Sequence, residues 1–126
     1  MKRDIILVGG GGHCKSVIEV IESTNDFNIV GIIDLPNKIG ETIMGYDIIG
    51  ADNDIPLLVK TCSNFVITTG QIKTSSTRSK LFSLVKENQG VLPVIIASTA
   101  YVSKSAQIEE GTIIMHNAFV NSLARI

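Results

Sequence analysis

The chain of 126 residues has no tryptophan, two tyrosines, four phenylalanines, three prolines and two cysteines. Each scarcity excludes something. Cys14 and Cys62 make at most one pair and have no metal-ligand spacing, so a disulfide framework and a cysteine-based metal site are both excluded, and reduced thiols of a cytoplasmic protein are expected. No apolar run approaches the roughly 18 residues that a membrane span requires, so no membrane partner is expected. Met1-Lys2-Arg3-Asp4 passes directly into an apolar strand, which is not the pattern of a signal peptide. Lys and Arg number 11 against 12 Asp and Glu, a formal net charge of −1. No basic stripe is available to neutralise the phosphates of a nucleic acid. What remains, 44% hydrophobic and 18% charged, is ordinary for an α/β domain.

The most regular stretch is the tail. Val102, Ile108, Ile114, Val120 and Ile126 recur every six residues, and two positions before each stands a small residue: Ala100, Ala106, Thr112, Ala118 and Ala124. Helices and strands have side-chain periods of about 3.6 and 2, so neither explains this spacing. A period of six marks the hexapeptide repeat of a parallel β-helix, in which each repeat forms one wall of a coil. The aliphatic residue points inward and the small one lets the chain turn the corner. Five repeats make about one and a half coils, fewer than a solenoid needs to bury its core. The expectation is therefore an N-terminal part of a longer protein.

Ahead of the tail, the order reads β-α-β-(loop)-β-α-β. Asp4–Val8 and Ile29–Ile33 are apolar runs suited to strands buried on both faces of a parallel sheet, and Val17, Ile18, Val20 and Ile21 form a helical stripe between them. Gly45–Gly50 reads as a short extended piece, Asp52 to Val59 as a helix start, and Asn64–Thr68 as a third strand. Ser75-Ser76-Thr77 opens a helix carrying Leu81, Leu84 and Val85, and Val91–Ile96, interrupted by Pro93, reads as an edge strand. The fold class is α/β: a small doubly wound, Rossmann-like parallel sheet over residues 1–96, then the first coils of a β-helix over residues 97–126.

Chemistry concentrates at the first strand-to-helix turn, Gly9-Gly10-Gly11-Gly12-His13. Glycines allow backbone amides to approach a phosphate at a helix N-terminus. The alternative is a tight turn with no ligand. Gly9 and Gly11 fit the dinucleotide fingerprint, but Cys14 stands where its third glycine belongs, which weakens an NAD reading. His13 either meets a phosphate or substrate, or simply ends a helix. Asp34 closes the second strand, where a carboxylate accepts hydrogen bonds from a ribose or a base, or else shapes the turn before Pro36. Thr69-Gly70 ends the third strand at the same sheet edge. Lys73 and Arg78 follow, either facing a second phosphate or solvated. His116 lies in the third repeat without an adjacent carboxylate, either a general base or an ordinary surface residue.

Taken together, Gly9 to His13, the strand-ending Asp34 and Gly70, and the hexapeptide tail resemble the NeuD/PglD-type sugar acyltransferases, along essentially the whole chain. The resemblance implies a substrate pocket for a nucleotide sugar or sialic acid built from Gly10, Gly11, Gly12, His13, Asp34 and Gly70. It implies a left-handed β-helix, a homotrimer, and acetyl-CoA as co-substrate bound between neighbouring β-helices. It places the catalytic histidine beyond residue 126, so no catalytic residue and no metal ligand is expected here. The implied chemistry is direct acyl transfer assisted by a general base. Two readings from other classes compete: a nucleotide-binding module that the repeats merely trimerise, and an NAD-binding oxidoreductase domain.

Overall fold

The computed structural model describes residues 2–69 and 75–126; the expectations placed on Gly70 and Lys73 lie outside them. The chain runs through β1 (Arg3–Val8), α1 (Gly12–Thr24), β2 (Phe27–Ile33), β3 (Thr42–Ile43), β4 (Tyr46–Gly50), α2 (Ile55–Leu58), β5 (Phe65–Ile67) and α3 (Ser75–Glu87). Four short strands follow: β6 (Ile95–Ile96), β7 (Tyr101–Val102), β8 (Ile113–Ile114) and β9 (Phe119–Val120). The main sheet has the order β3-β4-β2-β1-β5, parallel throughout except for the β3–β4 pair at its edge.

Alternation along β1 divides the core. Ile5 and Leu7 face α1, joining Val17, Ile18, Ile21, Ile32 and Val66, while Ile6 and Val8 face α2 and α3 with Ile55, Phe65, Leu81 and Val85. β1 is therefore apolar at every position from Ile5 to Val8, as a strand covered on both faces must be. Removing each such aliphatic side chain from water contributes about 2 kcal/mol. Cys14 and Cys62 are both free and buried; no cluster of metal-ligating residues exists among the described residues.

The tail adopts the coil geometry that its period requires. Ile95 pairs in parallel with Ile113 and Tyr101 with Phe119, and Gln107 bridges Arg125, each an offset of three hexapeptides. Each small residue closes a corner: the amides of Ala100, Ala106, Thr112, Ala118 and Ala124 donate to carbonyls three residues back, at 3.1 to 3.3 Å. Ile114 and Val120 are buried in the coil interior, whereas Ile126 is 48% exposed. The expected edge strand Val91–Ile96 is split. Val91 bonds Ser63 and Phe65 beside β5, whereas Ile95–Ile96 already forms a coil wall. Pro93, lacking an amide donor, stands where one partner is exchanged for the other.

Candidate functional site

The carboxyl ends of β1, β2 and β5 meet where the order of strands reverses around β1, which is where open α/β sheets form their ligand crevice. At that edge the glycine turn is packed from two sides. Gly9 has φ 120°, and a Cβ on it would lie 2.6 Å from Cγ2 of Thr69 and 2.7 Å from the Thr69 amide nitrogen. A Cβ on Gly10 would run into the carboxylate of Asp34. Thr68, wholly buried, donates its hydroxyl to the carbonyl of Gly9 at 2.5 Å and ties β5 to the turn.

Gly11 and Gly12 differ from these two. No atom lies within 4 Å of a Cβ built on either, and Gly11 has φ 113°. Their lack of side chains leaves open space at the start of α1. Gly11 caps that helix without any side-chain hydrogen bond, and the first turn carries no acidic residue. The first α1 amides, on Gly12, His13 and Cys14, thus have no intrahelical acceptor. This is the positive end of a helix, left available to an anion.

Two clefts open from this edge and share one residue, Thr69. The smaller, about 310 Å³, is lined by Gly9, Asp34, Pro36, Asp52, Asn53 and Thr69 among others. Asp34 accepts the amide of Leu35 on Oδ1 at 2.8 Å, which fixes its carboxyl over Gly10. Burial, and after it the charge of Asp34, push the Asp52 carboxyl above its ordinary range. This cleft presents acceptors and suits a ligand rich in N–H and O–H donors. The larger cleft, about 820 Å³, lies between α3 and the coil, and His13, Thr69, Arg78, Phe82, Glu110 and Met115 are among its walls. The Thr69 hydroxyl oxygen is buried with no hydrogen-bond partner among the described residues.

Gly10, Gly11, Gly12, His13 and Asp34 are thus brought to one edge. The sequence marks Asp52 only as a helix start, yet it lies two residues past Gly50, the glycine that ends β4 at that edge, and lines the smaller cleft. Cys14 is held as a neutral thiol by burial; a hydrogen bond with Thr68 opposes that push and the charge of Asp34 adds to it. It therefore has no thiolate to offer as a nucleophile. His116 is exposed at a coil corner, with Nδ1 2.8 Å from the hydroxyl of Thr99, which also accepts the Asn117 amide at 3.0 Å. This is a structural corner contact.

Comparison with known proteins bears on this architecture. The chain aligns structurally with PerB from Caulobacter crescentus in complex with CoA and GDP-perosamine, with TM-score 0.86 and 26% identity over 97% of the chain. A mutant of perosamine N-acetyltransferase from the same organism, also with CoA and GDP-perosamine, gives 0.87 at 26% identity over 97% of the chain. The acetyltransferase domain of PglB from Neisseria gonorrhoeae FA1090, in complex with acetyl coenzyme A, shares the fold with TM-score 0.84 and 24% identity over 99% of the chain. The chain spans little more than half of those proteins, 56% of the first two and 58% of the third. No curated protein matches the chain significantly. Residues 4–85 match the family described as the PglD N-terminal domain. The chain belongs to the PglD N-terminal domain family.

Proposed function

We propose that this chain is the acceptor-binding part of an acetyl-CoA-dependent sugar acetyltransferase whose acceptor is a nucleotide-linked amino sugar. The observation that carries the reading is the pair of clefts at the carboxyl edge of the sheet, both lined by Thr69. In this reading the smaller cleft takes the base and ribose, whose donors meet Asp34 and Asp52. The amides of Gly10 to His13 face the phosphates, and the larger cleft directs the sugar toward the coil. Gly70 is assigned to the same pocket from its place after β5. The similar proteins of known structure contain CoA or acetyl coenzyme A, and two contain GDP-perosamine, which supports this class of substrates.

The proposed division is a nucleotide-sugar-binding unit over residues 1–96 and a left-handed β-helix from 97, with Ile95–Ile96 already laid against the coil. A cytoplasmic homotrimer, with acetyl-CoA bound between adjacent coils, completes the reading. The transfer is direct. A base supplied outside this chain takes the proton of the acceptor amine as its nitrogen attacks the thioester carbonyl, and CoA leaves as the thiol. Nothing in this scheme requires a cysteine nucleophile.

Calorimetric titration of the chain tests the acceptor assignment, using UDP- and GDP-amino sugars, CMP-sialic acid, acetyl-CoA and NAD. Saturable binding of a nucleotide amino sugar, with none for NAD, is the expected outcome. Binding of NAD alone would replace the reading with a dinucleotide-binding one.

A further inference from the structure

We propose that Arg78 is a diphosphate-binding residue, closing over the ligand from α3 opposite the open end of α1. This rests on the acceptor reading above and adds to it a contact supplied by a second element. Arg78 is half-buried and lines the larger cleft together with His13 and Thr69. Its Nη1 donates to the carbonyl of Ile67, the last residue of β5, at 3.4 Å, which leaves most of its five donors uncommitted.

Charge bookkeeping in the cleft favours an anion. The one ion pair among the described residues joins Glu110 to Lys86 at 2.9 Å, so the only carboxylate on this cleft's wall already has a cation. Arg78 has no such partner among the described residues. A half-buried guanidinium without a carboxylate, lining a cleft whose wall also includes His13 of the first turn of α1, adds positive charge on the side where that helix presents its positive end. Thr69 lines the same cleft beside Arg78.

The geometry suits two linked anionic groups better than one. Helix-end amides satisfy one phosphate, and the planar fork of the guanidinium matches the oxygens of a second. A free sugar acid brings one carboxylate and nothing donor-rich for the acidic cleft around Asp34 and Asp52 beyond its hydroxyls. A nucleoside diphosphate brings both parts. The acceptor class is therefore a nucleoside-diphosphate sugar rather than a free sugar acid.

The test compares the wild-type chain with Arg78→Gln in calorimetric titrations against UDP, GDP, uridine, guanosine and free sialic acid, with thermal melting as the check on folding. The expected result is nucleoside diphosphate weakened about tenfold or more by the substitution while the weak binding of the nucleoside is unchanged, a selectivity that a merely structural role would not give. Should the glutamine variant not fold, Arg78→Lys keeps the charge and removes the fork, and is expected to weaken the diphosphates selectively as well. Wild-type diphosphate affinity in a folded variant would overturn the assignment while the acceptor reading stands. Binding of sialic acid but of no nucleoside diphosphate by the wild type would overturn both the assignment and the nucleotide-linked acceptor.

Discussion

Gly10 and Gly11 adjoin each other in the chain and are glycine for different reasons. A side chain at Gly10 would collide with Asp34, whereas one at Gly11 would meet no protein atom within 4 Å. Gly10→Ala therefore has to displace the Asp34 carboxyl and is expected to weaken nucleotide binding at least tenfold while destabilising the fold, read by calorimetry and melting. Gly11→Val fills the space assigned to a phosphate and forces a β-branched residue to φ 113°. It should abolish nucleotide binding, and unchanged affinity in a folded variant would remove the turn from the site. Asp52 gives a test by pH. Its folded-state pKa is raised, so the protonated acid is the form that folding favours. That contribution is present below the unfolded value and is lost as pH rises through the folded one. Asp52→Asn should accordingly melt higher than wild type near neutral pH, with the gap closing as pH falls into the acid range. A gap that widens on acidification would contradict the assignment of the shift to burial and Asp34.

Elements of this chain differ in how legible they were. β1, α1, β2 and α3 follow from apolar runs and stripes that sequence exposes, because burial on both faces of a sheet and on one face of a helix selects those patterns. The hexapeptide tail was equally plain: the aliphatic and small positions recur because each coil repeats the same wall and corner. The β3–β4 hairpin was not, since Thr42–Ile43 is a two-residue strand with no pattern of its own, made by pairing with β4. The split at Pro93 was also hidden, because both halves are apolar and only their partners differ. The two-cleft arrangement depends on residues far apart in sequence, such as Arg78 and Glu110, which spacing cannot bring together. At the corners, Gly111, Asn117 and Leu123 repeat a left-handed conformation every six residues, with Leu123 at φ 62°. Leucine is strained there, and it is 78% exposed. Leu123→Asn should stabilise the chain by roughly 0.5–1 kcal/mol, seen as a higher melting temperature.

At the scale of the whole molecule, the coil packs against the sheet domain through Ile113, Met115 and Ala100 on the α1 side. Lys86–Glu110 links α3 to the coil between side chains 42% and 49% exposed. An exposed pair of this kind contributes about 0–1 kcal/mol, so Lys86→Ala should leave stability nearly unchanged whereas Ile95→Ala, with Ile95 1% exposed, should cost about 2–5 kcal/mol. The central claim is that the carboxyl edge of the sheet holds a nucleotide-linked acceptor. Its most direct test is the ¹H–¹⁵N spectrum of the 13.5 kDa chain during titration with a nucleoside-diphosphate amino sugar. The account predicts the largest shifts at the amides of Gly10 to Cys14, with others at Asp34, Asp52 and Thr69. Shifts confined to the outer walls of the coil, with the glycine turn silent at saturation, would contradict it.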